Sequence, residues 1–330
     1  MRRSNLNSGN IRWADLESYL GGLAAAILFS ACFAGRSMAQ QPGQRTFSSA
    51  EEASQALQTA TQKNDEKAML DILGPEGKRV ISSGDDTQDA EMRANFARKY
   101  QQMHRLLKEP DGSTTLYIGA ENWPTPIPLM KKGNRWYFDT QAGEKEILFR
   151  RVGENELSTI RVCEELAAAQ KEYYASHQNQ YAQQIFSDEG QHNGLYWKRV
   201  QGEPRSPIGP LVAAAVAEGY PKGQADPPTP FHGYCYRVLT AQGKTAQTGA
   251  KNYIVDGKMT DGFAFVAYPA EYRSSGVMTF IVDRDGVVYQ KDLGKSTGLL
   301  GKSMKEYSPG PGWQKADDEQ AETAGNRQNK

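Results

Sequence analysis

Between Tyr234 and Leu293 the chain runs through YCYRVLTAQG, GFAFVAYP, GVMTFIVDRDG and VVYQKDLG. Aromatic and β-branched residues alternate there, broken by glycine and by an Asp-x-Asp-Gly turn, which is the pattern of an antiparallel sheet with one buried face. Four short strands are expected. The pattern speaks to architecture and not to chemistry, since no catalytic constellation accompanies it.

The N-terminal residues carry a different signal. Arg2, Arg3 and Arg12 precede an apolar run from Leu20 to Gly35, followed by Ser37-Met38-Ala39 and the polar QQPGQ. A basic leader, a short apolar core and a small-x-small site describe a secretory signal peptide, with cleavage expected after Ala39. The run is shorter than the roughly 20 residues a membrane span needs, so no stable span is expected after cleavage. LFSAC around Cys32 is a loose lipobox and makes a lipoprotein the minor alternative, although Phe29 stands where a small aliphatic residue is preferred. Arg2-Arg3 lies too far from the apolar core for a twin-arginine signal. Removing residues 1–39 takes away Arg2, Arg3, Arg12, Arg36, Asp15 and Glu17, leaving 35 basic against 37 acidic residues and a net charge near −2. A chain so balanced lacks the basic stripe that nucleic acid requires. The expected location is the periplasm or the exterior.

The mature chain, about 290 residues, is long enough for two domains. After a linker at 40–46, Ser48-Ser49-Ala50-Glu51 reads as a capping box. It opens a helix with Ala53, Ala56, Leu57 and Ala60 on one face. A second helix, Asp65–Leu73, stops at Gly74-Pro75. A brief apolar step at Val80-Ile81 precedes a long helix from about Thr87 to Lys108, with Met92, Phe96, Tyr100, Met103 and Leu107 at helical spacing. Strands follow at Thr114–Ile118, Ile127–Lys131 and Arg135–Asp139, the last two joined by Lys132-Gly133-Asn134. Ala142–Arg151 and Asn155–Ala175 read as two helices split at Gly153, and the domain boundary is placed there, dividing 40–152 from 153–300. Residues 176–233 form an irregular connection holding a small helix at Pro210–Glu218. Tyr196, Trp197, Leu211 and Tyr220 are its expected packing anchors. Residues 301–330 read as a polar, largely disordered tail. The fold class is α+β.

The element order of the first half resembles the cone-shaped fold of nuclear-transport-factor-two-like and cystatin-like proteins, which often hold a ligand in the mouth of the cone. In the second half, an amphipathic helix containing AAAQKEYYASHQNQY is followed by a four-stranded sheet closing on Phe280, Val282, Asp283, Gly286 and Tyr289. That half resembles the globular heads of type IV pilins and pseudopilins. A pilin extends this helix N-terminally as a membrane-embedded spine, whereas here a soluble segment precedes it. The whole chain resembles a bacterial secreted family known as domain of unknown function 2950, DUF2950. The resemblance is carried by Trp136-Tyr-Phe-Asp-Thr, Arg151-Val-Gly-x-Asn-Glu-Leu157, Ser206-Pro-Ile-Gly-Pro-Leu211, His232-Gly-Tyr234 and Leu239-Thr-Ala-Gln-Gly243. It implies secretion and a two-part architecture, and no catalytic residue.

The candidate sites are sparse, and neither catalytic, cofactor nor metal residues are assigned. His104, His177, His192 and His232 have no metal-ligand spacing, and no CxxC pair is present. His232 reads either as a structural hydrogen-bonding residue or as a general base, and no partner for a base is visible. Asp283-Arg-Asp285-Gly286 is read as a tight turn rather than a calcium loop, and Ser274-Ser275-Gly276 as a turn rather than a nucleophile elbow. Arg151 belongs to a solvated helix end or clamps a ligand. Trp123, Tyr196 and Trp197 are packing anchors or a binding platform. Cys163 and Cys235, left after cleavage, are candidates for a disulfide in an oxidising compartment, with the face of Cys235 left ambiguous by the alternation. The leading functional expectation is a non-enzymatic envelope protein that binds a protein or peptide and needs no cofactor. The second is a small-ligand binder or enzyme using a pocket of the N-terminal domain near Trp123, Trp136 and Tyr137. A structural pilus-like subunit is the third.

Overall fold

Ser49 caps the first helix, α1 (Ala50–Gln62), by accepting from the Glu52 N–H, while the Glu52 carboxylate reaches back to the Ser48 N–H. The capping box is therefore Ser49 with Glu52, one residue later than the sequence suggests. These observations come from a computed structural model, which describes residues 40–202, 204–220 and 229–316. The expected signal peptide with its Ala39 site, Cys32, and the tail from 317 onward lie outside the described residues. All described residues fall in one compact unit, Ala39–Lys330.

Helix α2 (Glu66–Leu73) starts on Asp65 and ends at Gly74. The apolar step at Val80-Ile81 is helical and not a strand, because Lys78–Ile81 form one turn, α3. Helix α4 (Asp86–Gln102) is shorter than its apolar spacing predicts. Met103 is extended, and β1 (His104–Lys108) pairs antiparallel with β2 (Thr114–Ile118). The Gly119 N–H takes the carbonyls of Lys99 and Met103, closing the helix where the apolar stripe alone would continue it. With β3 (Trp123–Pro124), β4 (Leu129–Lys132) and β5 (Arg135–Phe138) the sheet runs β1-β2-β4-β5, with β3 off β2. Phe47, Leu57, Met69, Ile72, Leu129 and Phe138 form the core between this sheet and the first helices.

Helix α5 (Thr140–Ser176) runs for 37 residues without the expected break at Gly153. Gly153 sits in the helix with open space where a side chain would be. Ile147 packs on the N-terminal core, and from Val162 onward the helix packs on a second core. The connection that follows holds β6 (Gln184–Phe186), β7 (Gly194–Tyr196), paired in parallel, and α6 (Gly209–Ala217).

The second sheet is antiparallel: β8 (Tyr234–Leu239), β9 (Ala264–Pro269), β10 (Met278–Asp283), β11 (Tyr289–Asp292) and β12 (Gln314–Lys315), in the order β12-β11-β10-β9-β8. The first four lie within the four segments the alternation marks. The fifth comes from the segment expected to be a disordered tail. Residues 301–316 belong to the fold, with Tyr307 and Ala316 buried. The sheet is also buried on both faces rather than one. Helix α5 lies on one face, where Thr159 meets the Tyr236 hydroxyl. On the other, α7 (Thr297–Ser303) sets Gly301 against the Tyr268 ring. All six residues of β9 are buried, which is why AFVAYP reads as a continuous apolar run. The fold is α+β.

Candidate functional site

Phe231 and Tyr234 exchange both backbone hydrogen bonds, at 2.8 and 3.2 Å, across His232 and Gly233. These two residues stand at φ +49° and +73°. Two consecutive left-handed residues make a type I′ hairpin turn, a position where Asn-Gly is the usual choice. Gly233 is required twice, since a Cβ there would lie 2.5 Å from the Asn155 side chain. The turn aims its free N–H groups at the N-terminal half. Gly233 donates to Asp85 Oδ2 at 2.9 Å, His232 donates to the Tyr220 hydroxyl at 3.2 Å, and that hydroxyl donates to Asp85 Oδ2 at 2.9 Å. Asp85 is fully buried, and its other oxygen caps α4 through the Gln88 N–H at 3.1 Å. One carboxylate thus satisfies a helix start, a turn and a phenol, which is how a buried charge becomes tolerable. Helix α5 joins the same junction. Asn155 donates to the Ser275 carbonyl at 2.8 Å and accepts from Gln88 at 2.6 Å.

His232 has the partner that the sequence does not reveal, because its Nε2 lies 3.3 Å from Glu218 Oε2. Burial lowers the His232 pKa, so the ring is neutral at pH 7, and burial, with Glu91 and Asp85 nearby, raises that of Glu218. Burial and Asp85 push the Tyr220 phenol far up, which keeps it a donor. Among the described residues no hydroxyl or thiol hydrogen-bonds to the His232 side chain. The arrangement is that of a positioned turn and not of a nucleophile–base set.

Beside this junction lies a cavity of about 370 Å³. Val162 and Leu166 of α5, Ile185 and Phe186 of β6, Leu211, Val212 and Ala215 of α6, and Tyr236–Val238 of β8 line it. Tyr220 and Phe231 belong both to its wall and to the junction. A second, more open groove of about 400 Å³ runs between α1 and α2, lined by Arg45, Glu52, Gln55, Thr59, Lys63 and Asp65. Trp123, Trp136 and Tyr137 line neither. Trp123 is exposed between Lys99 and Arg150, which stand 6.0 and 5.2 Å from its ring. Trp136 is half-buried under Lys131, and Tyr137 is buried. Trp197 is buried against His192 and donates to the Pro204 carbonyl, while Tyr196 meets the edge of Phe186.

The remaining candidates are each accounted for locally. His104 and His177 stack on Tyr100 and Tyr173. Asp283 accepts from the Asp285 N–H, and Gly286 takes φ +78°, a tight turn. Among the described residues no cluster of three or more His, Cys, Asp or Glu is placed to hold a metal. Ser274 and Ser275 bond to the carbonyls of Ser82 and Glu271. Arg151 is buried, with its guanidinium on the carbonyls of Arg79 and Val80, so it caps α3. Cys163 and Cys235 are buried free thiols, so the disulfide considered on sequence is not formed. Strand alternation explains why. Cys163 lies by Tyr236 on the α5 face, whereas Cys235 shares the opposite face with its cross-strand partner Tyr268. Burial pushes both thiol pKa values up.

Asp85, Glu218, Ile185 and Phe186 are the site residues that sequence reasoning misses. Asp85 is legible as a residue preceding a helix, but its second role depends on where Gly233 lands. No curated protein and no solved structure matches the chain. The family model described as a protein of unknown function, DUF2950, matches residues 44–316, which include nearly all of the described fold. The chain belongs to that family.

Proposed function

We propose that the protein is exported to the cell envelope and acts there as a non-enzymatic binding protein, with its ligand site in the apolar cavity of the C-terminal half. The observation that carries this reading is the cavity itself. Its volume of about 370 Å³ falls within the ~300–1,000 Å³ of small-molecule and side-chain sites. Its walls are mainly aliphatic and aromatic, with the tyrosine hydroxyls, Gln183, Gln184, Thr229 and Arg237 as the polar groups. The N-terminal groove is lined mainly by charged and polar side chains and lacks the aromatic residues expected to build a pocket there, which supports the C-terminal site over it. Export rests on the basic leader, apolar core and Ser37-Met38-Ala39 site. The packing of α5 on an antiparallel sheet supports the likeness to pilin heads, and with it a binding role over a catalytic one.

Two measurements test this. Mass spectrometry of the native protein should find a mature N-terminus at Gln40, and an intact Met1 terminus would remove the export reading. Titration of the folded protein with the apolar dye anilinonaphthalenesulfonate should saturate at one site, and Ala215→Phe, which fills the cavity, should abolish it. Binding unchanged in that variant would place the site elsewhere.

A further inference from the structure

Helix α5 buries its inner side against both cores, and an exposed stripe runs along its outer side at helical spacing from Ala142 to Glu172. The ends of that stripe are charged and its middle is apolar. Phe149 is 75% exposed and Leu157 45%. They stand one turn to either side of Gly153, where nothing lies within 4 Å of the position a Cβ would take. Trp123, also exposed, borders the same stretch through Arg150. Val162, which lines the cavity, lies on the opposite side of the helix from Gly153 at about 100° per residue. The stripe is therefore a different surface from the cavity.

Single exposed apolar residues are ordinary on a protein surface. A phenylalanine and a leucine equally spaced about a glycine on one stripe form a pattern. Each lies about 6 Å along the axis from Gly153. A two-fold axis set against Gly153 exchanges the two positions. A second copy running antiparallel then lays its Leu157 on Phe149 and its Phe149 on Leu157, the self-complementary pairing of an isologous interface. Glycine at the crossing point lets the two backbones approach closely.

The charges along the stripe fit the same register. Residues that meet across such a pair lie at matching offsets before and after Gly153. Glu146 of one copy therefore stands near Arg161 of the other, and Arg150 near Glu154, all four exposed. Both pairs are opposite in sign, whereas a parallel pairing would set each charge against itself. Within one chain Arg150 meets only the neighbouring Glu146, in a surface pair of a kind that contributes little.

We propose that the outer face of α5 is a homodimer interface, in which two copies cross antiparallel at Gly153 with Phe149 of each against Leu157 of the other. The proposal is independent of the cavity reading, since it uses the other side of the helix.

The test uses the mature full-length chain. Sedimentation should show a monomer–dimer equilibrium, with dissociation on the order of micromolar for an interface as small as one helix stripe. Phe149→Glu and Leu157→Glu should each weaken the dimer at least about tenfold. Both side chains are exposed, and an unchanged circular dichroism spectrum checks that the variants are folded. Glu146→Arg and Arg161→Glu should each weaken the dimer, and the double variant should restore it. Under air oxidation Gly153→Cys should cross-link to itself, because the crossing places the two positions within reach of a disulfide. An equal mixture of Phe149→Cys and Leu157→Cys should cross-link where neither does alone. The native Cys163 and Cys235 are buried and stay silent. A monomer at every concentration, or a dimer untouched by both glutamate variants, would overturn the proposal. Phe149→Cys cross-linking to itself, or a double charge variant no tighter than the single ones, would overturn the antiparallel register and the proposal with it.

Discussion

Four of the five residues of β1 are exposed, whereas all six residues of β9 are buried. The N-terminal sheet packs α1 and α2 against β5 and α4 against β2, with β1 as its edge strand. The C-terminal sheet carries α5 on one face and α7 on the other. The compositions follow: HRLLK for an edge strand that rests on little more than Leu106, AFVAYP for a central strand without a solvent face. What joins the two regions is polar. Asp85, Gln88, Asn155, Tyr220 and the His232-Gly233 turn meet between the cores, and α5 passes through them. Two apolar cores held by a polar seam can lose cooperativity at the seam before either core melts, since each core keeps its own buried area.

The largest expected effect is therefore at Asp85. Asp85→Ala leaves the Gly233 N–H and the Tyr220 hydroxyl buried without an acceptor and removes the α4 cap. The cost should be about 2–5 kcal/mol. Asp85→Asn retains a capping oxygen but offers an amide to two donors, so it should lose most of the same stability. The control is Asp65→Ala, which removes an exposed cap from α2 and should cost about 0.5–2 kcal/mol. Thermal unfolding followed by calorimetry should show one transition splitting into two for the Asp85 variants and not for the control. A single shifted transition in all three would mean that the regions form one cooperative unit.

How much of this is legible in the chain? Strands β8 to β11 are, because alternation and Gly or Asp-Gly turns are local signals that burial on this sheet reinforces. Thr114–Ile118 agrees to the residue for the same reason. The helix-to-strand change at Met103 is not legible, since leucines at 106 and 107 fit either period, and pairing with β2 decides between them. The continuity of α5 is hidden by Gly153, a residue that weakens a helix without ending it. The tail strand Gln314–Lys315 has no apolar pattern and exists through its pairing with β11. His232-Gly233-Tyr234 is visible as a motif, and Tyr220 and Leu211 as anchors. The seam they form is not visible, because Asp85 and Glu218 reach them across the fold and no spacing encodes that distance. The cysteines illustrate the limit from the other side. Alternation alone leaves Cys235 undecided between faces, and the placement of α7 against Tyr268 settles it.

A smaller effect sharpens the comparison at the helix that both regions share. Gly153 has helical geometry, no positive φ, and nothing within 4 Å of the position a Cβ would take. Gly153→Ala should raise stability by about 0.5–1 kcal/mol, by lowering the entropy of the unfolded chain and strengthening the helix between the cores. The gain should be read by denaturant unfolding at unchanged slope. A loss instead of a gain would show that α5 bends at Gly153 in solution and that the two regions move against each other there.

The smallest expected effect is a pH dependence at the seam. Burial holds the His232 pKa below its usual value, so the unfolded chain takes up this proton before the folded one does. Stability contributed by the neutral ring is fully present above the unfolded value of about 6.5 and falls as the pH drops through it toward the lower folded value. Glu218 works with the opposite sign. Its pKa is raised in the fold, so the folded carboxyl binds its proton first, which favours folding as the pH falls toward the unfolded carboxylate range of about 4.3. The two windows differ, and from about pH 7 to about pH 6 the histidine dominates. His232→Gln, which keeps a polar side chain at the turn, should flatten the decline in melting temperature over that interval by less than one proton's worth of slope. An identical slope in wild type and His232→Gln would show that the ring titrates in the fold as it does in the unfolded chain, and that the seam responds to acid through groups other than His232.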